Sequence, residues 1–195
     1  MELILIRHGL PEVEINADGT PADPPLSDEG HQQAARMAAW MTCSGIERLY
    51  SSPMRRARET AAPLAGALGL DVEQVDAVAE FDRDEGSYIP IELMKEMDPQ
   101  RYREVVSYDA DERFERFQTE VVDGLTEIAA GNRGRKVAVA CHGGVINVWA
   151  AHVIGLPPRL FFNPFYTSIN RFLIAGTGEQ SVLSLNEQSH LHEHG

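Results

Sequence analysis

The sequence predicts an α/β fold, a three-layer sandwich in which helices cover both faces of a mostly parallel central sheet. Short apolar runs alternate along the chain with segments of helical periodicity, a pattern typical of parallel sheets with helical crossovers. The length of 195 residues corresponds to one domain, since domains average ~150 residues. Because we find no linker or repeat, we expect one domain over residues 1–195.

Six segments are predicted to form strands, most of them short apolar or β-branched runs. They cover residues 2–6, 46–50, 71–75, 136–140, 168–175 and 181–186. Residues 10–26, which are rich in proline, are predicted to form a loop.

Capping residues and helix-ending residues predict two helices in the first half of the chain. Ser27 or Asp28 is the expected N-cap of the first helix. Ser52-Pro53 predicts a cap followed by proline at the first helical position, and Gly69 marks the end of that helix. Pro63 should kink the second helix.

Two further helices are predicted in the second half. The first follows a capping-box-like Asp109–Glu112 and carries an apolar stripe, and the second runs from about Val145 to Ile154. The stripe consists of Phe114, Phe117, Val121, Leu125 and Ile128. The irregular segment 82–108 should contain one or two short helices and form a lid. The tail with its three histidines (His190, His192 and His194) is expected to be disordered.

The charge argues against two classes of partner. The net charge of −13 makes binding to nucleic acid or an anionic membrane unfavourable. No run reaches the ~20 apolar residues of a membrane span, and the N-terminal apolar run is too short for a signal peptide. Two cysteines exclude a disulfide scaffold. We therefore expect a cytoplasmic protein, and a homodimer is compatible with the sequence.

Two predicted strands end in a histidine followed by a glycine. Arg7-His8-Gly9 follows the strand at 2–6, and Cys141-His142-Gly143-Gly144 follows the strand at 136–140. Ligands of open α/β sheets bind at the carboxyl ends of strands, and a glycine there lets backbone and substrate approach closely. If the strands are neighbours, both imidazoles face one crevice.

Three arginines follow the strand at 46–50. Arg55, Arg56 and Arg58 lie in the first turn of a predicted helix, in a chain with 17 basic and 30 acidic residues. A helix N-terminus attracts anions, and guanidinium groups match phosphate oxygens. The pattern indicates a phosphate site, and the alternative is a set of solvated surface charges.

A metal site formed by His8, Cys141 and His142 is the alternative for the histidine pair. Zinc ligands commonly occur at spacings such as H-x-x-x-H or C-x-x-C, which this cluster lacks. We therefore expect no metal, and we interpret Cys141 as a small buried residue behind the site.

Four pieces of the sequence, in this order, resemble the histidine phosphatase superfamily, also called phosphoglycerate-mutase-like. They are Leu5-Ile6-Arg7-His8-Gly9; Pro25-Leu26-Ser27-Asp28-Glu29-Gly30 with Gln33-Ala34; Ser51-Ser52 with Arg56-Ala57 and Thr60-Ala61; and His142-Gly143-Gly144. Their order and spacing agree with the family from residue 3 to about 150.

The resemblance implies a mechanism without metal or cofactor. His8 would attack phosphorus and form a transient phosphohistidine. Arg7, Arg56 and His142 would neutralise the phosphate oxygens, because phosphoryl transfer depends on positioning and charge stabilisation. The arginines also favour the neutral, nucleophilic imidazole. Glu80 would protonate the leaving oxygen and then activate water.

The sequence around Glu80 departs from the family pattern. Asp84 lies where the family often has glycine, although Glu85-Gly86 follows. Asp82 or Glu85 is therefore an alternative for the acid.

The resemblance implies a phosphatase acting on a phosphate monoester. Because the chain is shorter than the cofactor-dependent mutases, hydrolysis is favoured over mutase-type phosphoryl transfer. A phosphate-binding interaction module with little turnover is the non-enzymatic alternative. The expected partner is a small-molecule phosphate ester, with a phosphoprotein as the alternative, and residues 82–108 would set the choice.

Overall fold

A computed structural model describes residues 1–107, 112–157 and 159–192. Its strands are β1 Glu2–Arg7, β2 Glu14–Ile15, β3 Arg48–Ser51, β4 Val72–Gln74, β5 Ser87–Tyr88, β6 Lys136–Cys141, β7 Ile169–Ile174 and β8 Gln180–Glu187. Its α-helices are α1 Asp28–Met41, α2 Arg55–Leu68, α3 Ile91–Met97, α4 Pro99–Ser107, α5 Glu112–Gly131 and α6 Gly143–Ile154. Short 3-10 helices cover Asp76–Val78 and Ser189–Leu191.

Six strands form one sheet in the order β4-β3-β6-β1-β7-β8. The strands β4, β3, β6 and β1 are parallel, β7 is antiparallel to β1, and β8 is antiparallel to β7. Five of the six strands therefore run in one direction, which confirms the mostly parallel sheet predicted from the sequence.

Helices pack on both faces of the sheet. Alternate strand residues point to opposite faces. Leu3, Leu5, Val137 and Val139 pack with the apolar stripe of α5 and with α6. Ile4, Ile6, Ala138 and Ala140 pack with α1 and α2 on the other face. The two clusters confirm the three layers, and the apolar runs of β1 and β6 are buried on both sides.

The caps of the helices agree only partly with the sequence prediction. The Ser27 side chain accepts a hydrogen bond from the Gly30 N–H, as expected for the N-cap of α1. The predicted Ser52 cap of α2 is wrong, since this helix begins at Arg55 with Met54 at its N-cap position. Gly69 ends α2 in the left-handed conformation, with φ of 66°.

The segment predicted as a loop, residues 10–26, contains strand β2, which pairs with β5. This small two-stranded sheet joins that loop to residues 82–107, where α3 and α4 are the two short helices expected. The predicted capping residues 109–111 lie outside the described residues. Over the described ranges, no helix has the length and apolar character that crossing a bilayer requires.

The disordered tail predicted from the C-terminal histidines is wrong for His190. Its side chain is buried and forms a hydrogen bond with Thr167 Oγ1. His192 is exposed, and His194 lies outside the described residues. Burial of His190 depends on a tertiary contact that the local sequence does not indicate.

Candidate active site

A cavity of about 830 Å³ lies at the carboxyl ends of the central strands. Strands β1 and β6 are neighbours in register, with Arg7 opposite Cys141, so that His8 and His142 follow at the same edge. The centroids of their rings are 5.1 Å apart. Arg56 and Glu80 line the same cavity as Arg7 and His8. The structure thus brings all five predicted site residues together.

The imidazole of His8 is held with one nitrogen free to act as a nucleophile. Its Nδ1 lies 2.8 Å from the Gly9 carbonyl oxygen. Because a carbonyl only accepts, Nδ1 carries the proton, and the lone pair of the neutral ring is on Nε2. Burial lowers the pKa of His8 well below its usual value, and the charges of Arg56 and Arg7 lower it further. The ring is therefore neutral at pH 7.

Gly9 allows a close approach of backbone, as expected for a glycine after the histidine. A Cβ at Gly9 would lie 2.6 Å from the Gly30 carbonyl oxygen, so the loop can pass α1 only with glycine there. The Gly9 N–H donates to Thr60 Oγ1 at 2.9 Å, and the Thr60 hydroxyl donates to the Arg56 carbonyl. These bonds connect the His8 loop to α2.

Arg56 is fully buried and only partly satisfied. Its Nη2 donates to Asp82 Oδ1 at 3.0 Å, and its guanidinium lies 4.4 Å above the Tyr88 ring. Among the described residues, Nε and Nη1 have no hydrogen-bond partner. A buried donor without a partner costs roughly 1–3 kcal/mol, and more when it is charged. The geometry therefore leaves two donors for an anion.

Arg7, like Arg56, is held by hydrogen bonding and by contact with a tyrosine ring. Its Nη1 donates to the Pro164 carbonyl at 2.5 Å, and its guanidinium lies 4.0 Å above the Tyr166 ring. Its Nε has no partner within the described part of the chain. Stacking on a ring fixes the plane of a guanidinium while leaving its edges available for hydrogen bonds.

His142 adds one N–H donor to those of Arg56 and Arg7. Ser52 Oγ accepts from the Met54 N–H and lies 2.8 Å from His142 Nε2. The Ser52 hydroxyl proton can therefore go to Nε2, which places the ring proton on Nδ1. That Nδ1 is buried and unpartnered among the residues described. Burial and the charge of Arg56 lower the pKa of His142 well below its usual value.

Glu80 lies at the cavity wall with a strongly perturbed pKa. Its two oxygens accept from the Phe81 N–H at 3.0 Å and from the Gly144 N–H at 2.9 Å. Burial, followed by the charge of Asp82, raises its pKa from 4.5 to about 7. A Cβ at Gly144 would collide with Glu80 Oε1, so the glycine makes room for this carboxyl. A carboxyl of this kind can both donate and accept a proton near neutral pH.

The two alternative acids both form ion pairs. Asp82 forms the ion pair with Arg56. Glu85 forms an ion pair with Arg113 at 2.9 Å, and both side chains are partly exposed. The geometry favours Glu80 over either as a proton donor.

Sequence reasoning missed several residues that shape the site. Ser52 belongs to a motif piece but was interpreted only as a helix cap, whereas its hydroxyl contacts His142. Tyr88 and Tyr166 support the arginines, and nothing local in the sequence marks either. Cys141 is buried, and burial raises the pKa of its thiol. The described residues contain no group of three or more histidine, cysteine, aspartate or glutamate side chains suited to a metal ion.

Comparisons with known proteins agree with this geometry. The family profile of the histidine phosphatase superfamily (branch 1) matches residues 3–188. Phosphoserine phosphatase 1 of Hydrogenobacter thermophilus is 27% identical over 99% of this chain and 95% of its own. Phosphoglycerate mutase-like protein 4 of Arabidopsis thaliana is 27% identical over 100% and 88%.

Solved structures share the fold. A phosphoserine phosphatase variant from Entamoeba histolytica, in complex with phosphoserine, superposes with a TM-score of 0.76 at 23% identity, covering 98% of this chain and 99% of that one. Together with the profile match over nearly the whole sequence, these findings establish that the chain belongs to the histidine phosphatase superfamily.

Proposed function

We propose that this protein is a metal-independent phosphatase that hydrolyses a small phosphate monoester through a phosphohistidine on His8. The observation that carries the proposal is a set of buried donors, without partners among the described residues, around one neutral imidazole. They belong to Arg7, Arg56 and His142. Such groups are satisfied when a phosphate binds, and the phosphatase relatives support the same chemistry.

In the first step, the lone pair of His8 Nε2 attacks phosphorus while the bond to the ester oxygen breaks. The proton of Glu80 moves to that oxygen, so the alcohol leaves neutral. The donors of Arg7, Arg56 and His142 stabilise the charge on the other phosphate oxygens in the transition state.

In the second step, water attacks the phosphohistidine. The Glu80 carboxylate removes a proton from this water as its oxygen bonds to phosphorus. The bond between phosphorus and Nε2 breaks, which releases inorganic phosphate and restores the neutral imidazole of His8. A pKa of about 7 suits Glu80 for both transfers.

The wider cavity favours a small substrate that carries a second negative charge. Two cations on its wall, Lys95 of α3 and Arg101 of α4, lie outside the phosphate site. Within the described residues, neither lies within ion-pair distance of a carboxylate. The acidic residues Glu85 and Glu92 do have partners, Arg113 and Tyr166.

The names of two relatives point to the same class of substrate. One name contains phosphoserine and the other phosphoglycerate, and both compounds carry a carboxylate near the phosphate. A cavity of about 830 Å³ is in the range of small-molecule sites. We therefore favour a phosphorylated small carboxylic acid over a phosphoprotein, with residues 82–107 acting as the lid.

The test is release of inorganic phosphate, in EDTA, from a panel of paired substrates. Phosphoserine and 3-phosphoglycerate are each compared with phosphoethanolamine and glycerol 3-phosphate, which lack the carboxylate. We expect kcat/KM to be at least ~10-fold higher for the carboxylates, as one charged hydrogen bond contributes roughly 1.5–3 kcal/mol. Arg101→Gln should remove that preference, whereas Arg103→Gln, on the same helix, should keep it.

Two results would contradict the proposal. Activity that disappears in EDTA and returns with a divalent metal would contradict metal independence. Interconversion of phosphoglycerate isomers without net release of phosphate would favour the mutase-type transfer.

A further inference from the structure

Thr167 connects the C-terminal part of the chain to the backbone that carries the nucleophile. Its N–H points at two carbonyl oxygens, that of Arg7 at 3.1 Å and that of His8 at 3.3 Å. Its hydroxyl donates to the Tyr166 carbonyl at 2.7 Å. Thr167 is fully buried and has φ of 56°. A β-branched residue rarely adopts this left-handed conformation, and such strain persists only where the surroundings hold it.

His190 is the side chain that holds Thr167. Its Nε2 lies 3.0 Å from Thr167 Oγ1. Because the single hydroxyl proton of Thr167 goes to the Tyr166 carbonyl, Nε2 must be the donor in this bond. Burial lowers the pKa of His190 to about 4, so the ring is neutral at pH 7 and has one N–H. Its Nδ1 has no partner among the described residues.

The segment held in this way also controls the side chain of Arg7. The Pro164 carbonyl accepts from Arg7 Nη1, and the Tyr166 ring lies against the guanidinium. A shift of Thr167 would therefore move the backbone of His8 and the plane of Arg7 together. A displacement of about 1 Å at a reacting group can cost ~100-fold in rate.

We propose that His190 is a positioning residue for phosphoryl transfer. Through Thr167, it fixes the backbone of Arg7-His8, and thereby the position of the attacking nitrogen. This inference rests on the proposed function, because it concerns the same nucleophile. His190 is not among the residues that line the cavity, so its role is to position the nucleophile rather than to contact the reacting atoms.

The test compares three variants that separate the hydrogen bond from packing. His190→Leu keeps apolar volume but removes the donor, and we expect kcat for p-nitrophenyl phosphate to fall about 10-fold with KM changed less than 2-fold. His190→Gln retains an N–H donor and should restore kcat to within 3-fold of wild type. His192→Leu, at an exposed histidine of the same tail, should behave like wild type. All rates are normalised to the folded fraction, measured by thermal unfolding.

A second substitution covers the case in which His190→Leu does not fold. Thr167→Val keeps the branched shape but loses the hydroxyl, whereas Thr167→Ser keeps the hydroxyl. We expect the valine variant to lose about 10-fold in kcat and the serine variant to stay near wild type. Wild-type kcat in a folded His190→Leu or Thr167→Val, or an equal loss in His190→Gln and His190→Leu, would overturn the proposal.

A readout without catalysis separates this inference from the proposed function. Imidazole ¹⁵N spectra report the environment of His8, with the signal assigned through His8→Gln. The signal should shift in His190→Leu and stay in place in His192→Leu. A shifted signal in a protein that hydrolyses no phosphate ester would contradict the proposed function but not the positioning role. An unshifted signal would contradict the positioning role itself.

Discussion

Replacing Glu80 by glutamine removes the proton that the proposed mechanism transfers to the leaving oxygen. The glutamine fits the same space but cannot ionise, and only one of its terminal atoms can accept from the Phe81 or Gly144 N–H. General acid catalysis typically contributes about 10²–10⁴ in rate. We expect kcat for phosphoserine to fall at least ~100-fold by that measure.

The loss should depend on the leaving group. An alkoxide such as that of serine needs a proton as it departs, whereas p-nitrophenolate leaves without one. We therefore expect p-nitrophenyl phosphate to lose less than ~10-fold in the first step, well below the range for full acid catalysis. A burst of p-nitrophenol in the variant would show that the second step, attack by water, is then slower than the first.

The pH dependence follows from the raised pKa of Glu80, which goes from 4.5 to about 7. The acid must be protonated for the first step, so kcat/KM for phosphoserine should fall above about pH 7 in wild type. This decline should be absent in Glu80→Gln.

The free energy of unfolding should also fall as the pH rises. A carboxyl whose pKa is higher in the folded than in the unfolded state stabilises the fold below the unfolded value. That contribution is lost as the pH rises through the folded value. A rise of the pKa from 4.5 to about 7 corresponds to at most ~3–4 kcal/mol of unfolding free energy, and hydration of the cavity wall reduces this contribution.

The assays are steady-state and rapid-quench hydrolysis between pH 5 and 9, and urea unfolding at pH 5 and 8. Equal losses in the rate of the first step on phosphoserine and p-nitrophenyl phosphate would show that Glu80 binds substrate rather than donating a proton to the leaving oxygen. A decline above pH 7 that persists in Glu80→Gln would assign the titrating acid to another group.

Three further substitutions test the site. Arg56→Gln should raise the inhibition constant for inorganic phosphate ~10-fold or more, because the hydrogen bonds that it loses are charged. Arg58→Gln, at an exposed position of the same helix, should leave that constant unchanged. Equal inhibition constants in the two variants would remove Arg56 from the phosphate site. Gly144→Ala should displace the Glu80 carboxyl and reproduce the leaving-group dependence of Glu80→Gln, and a uniform loss on all substrates would contradict this. Ser52→Ala should lower kcat about 10-fold, because the ring proton of His142 is then no longer fixed on Nδ1 by the Ser52 hydroxyl. A wild-type kcat in this variant would refute that role of Ser52.

The parts of the fold that follow from local sequence could be predicted. Strands β1 and β6 are apolar on both faces because both faces are covered, so each appears in the sequence as a continuous apolar run. Ser27 caps α1 through a bond to a residue three positions away. The pairing of β2 with β5 could not be predicted, because each has only two residues and neither shows an alternating pattern.

The candidate site divides in the same way. His8 and His142 were recognisable because each ends a buried strand beside arginine or glycine. Glu80 was identified by resemblance, and its perturbed pKa emerges only when Asp82 and the surrounding protein are in place. Tyr166 and His190 could not have been found, since each acts on Arg7-His8 from the far end of the chain and no local pattern marks either.

The phosphohistidine on His8 is the central claim, and trapping it is the most direct test. Protein mixed with ³²P-labelled phosphoserine in EDTA is quenched in alkali at times from milliseconds to minutes, and the labelled residue is identified by mass spectrometry. We predict an acid-labile, alkali-stable label on His8 that reaches up to one equivalent in Glu80→Gln and is absent in His8→Ala. His152→Ala, at an exposed histidine on α6, should label like wild type. Phosphate release at the wild-type rate by His8→Ala, or a label on another residue, would contradict the account.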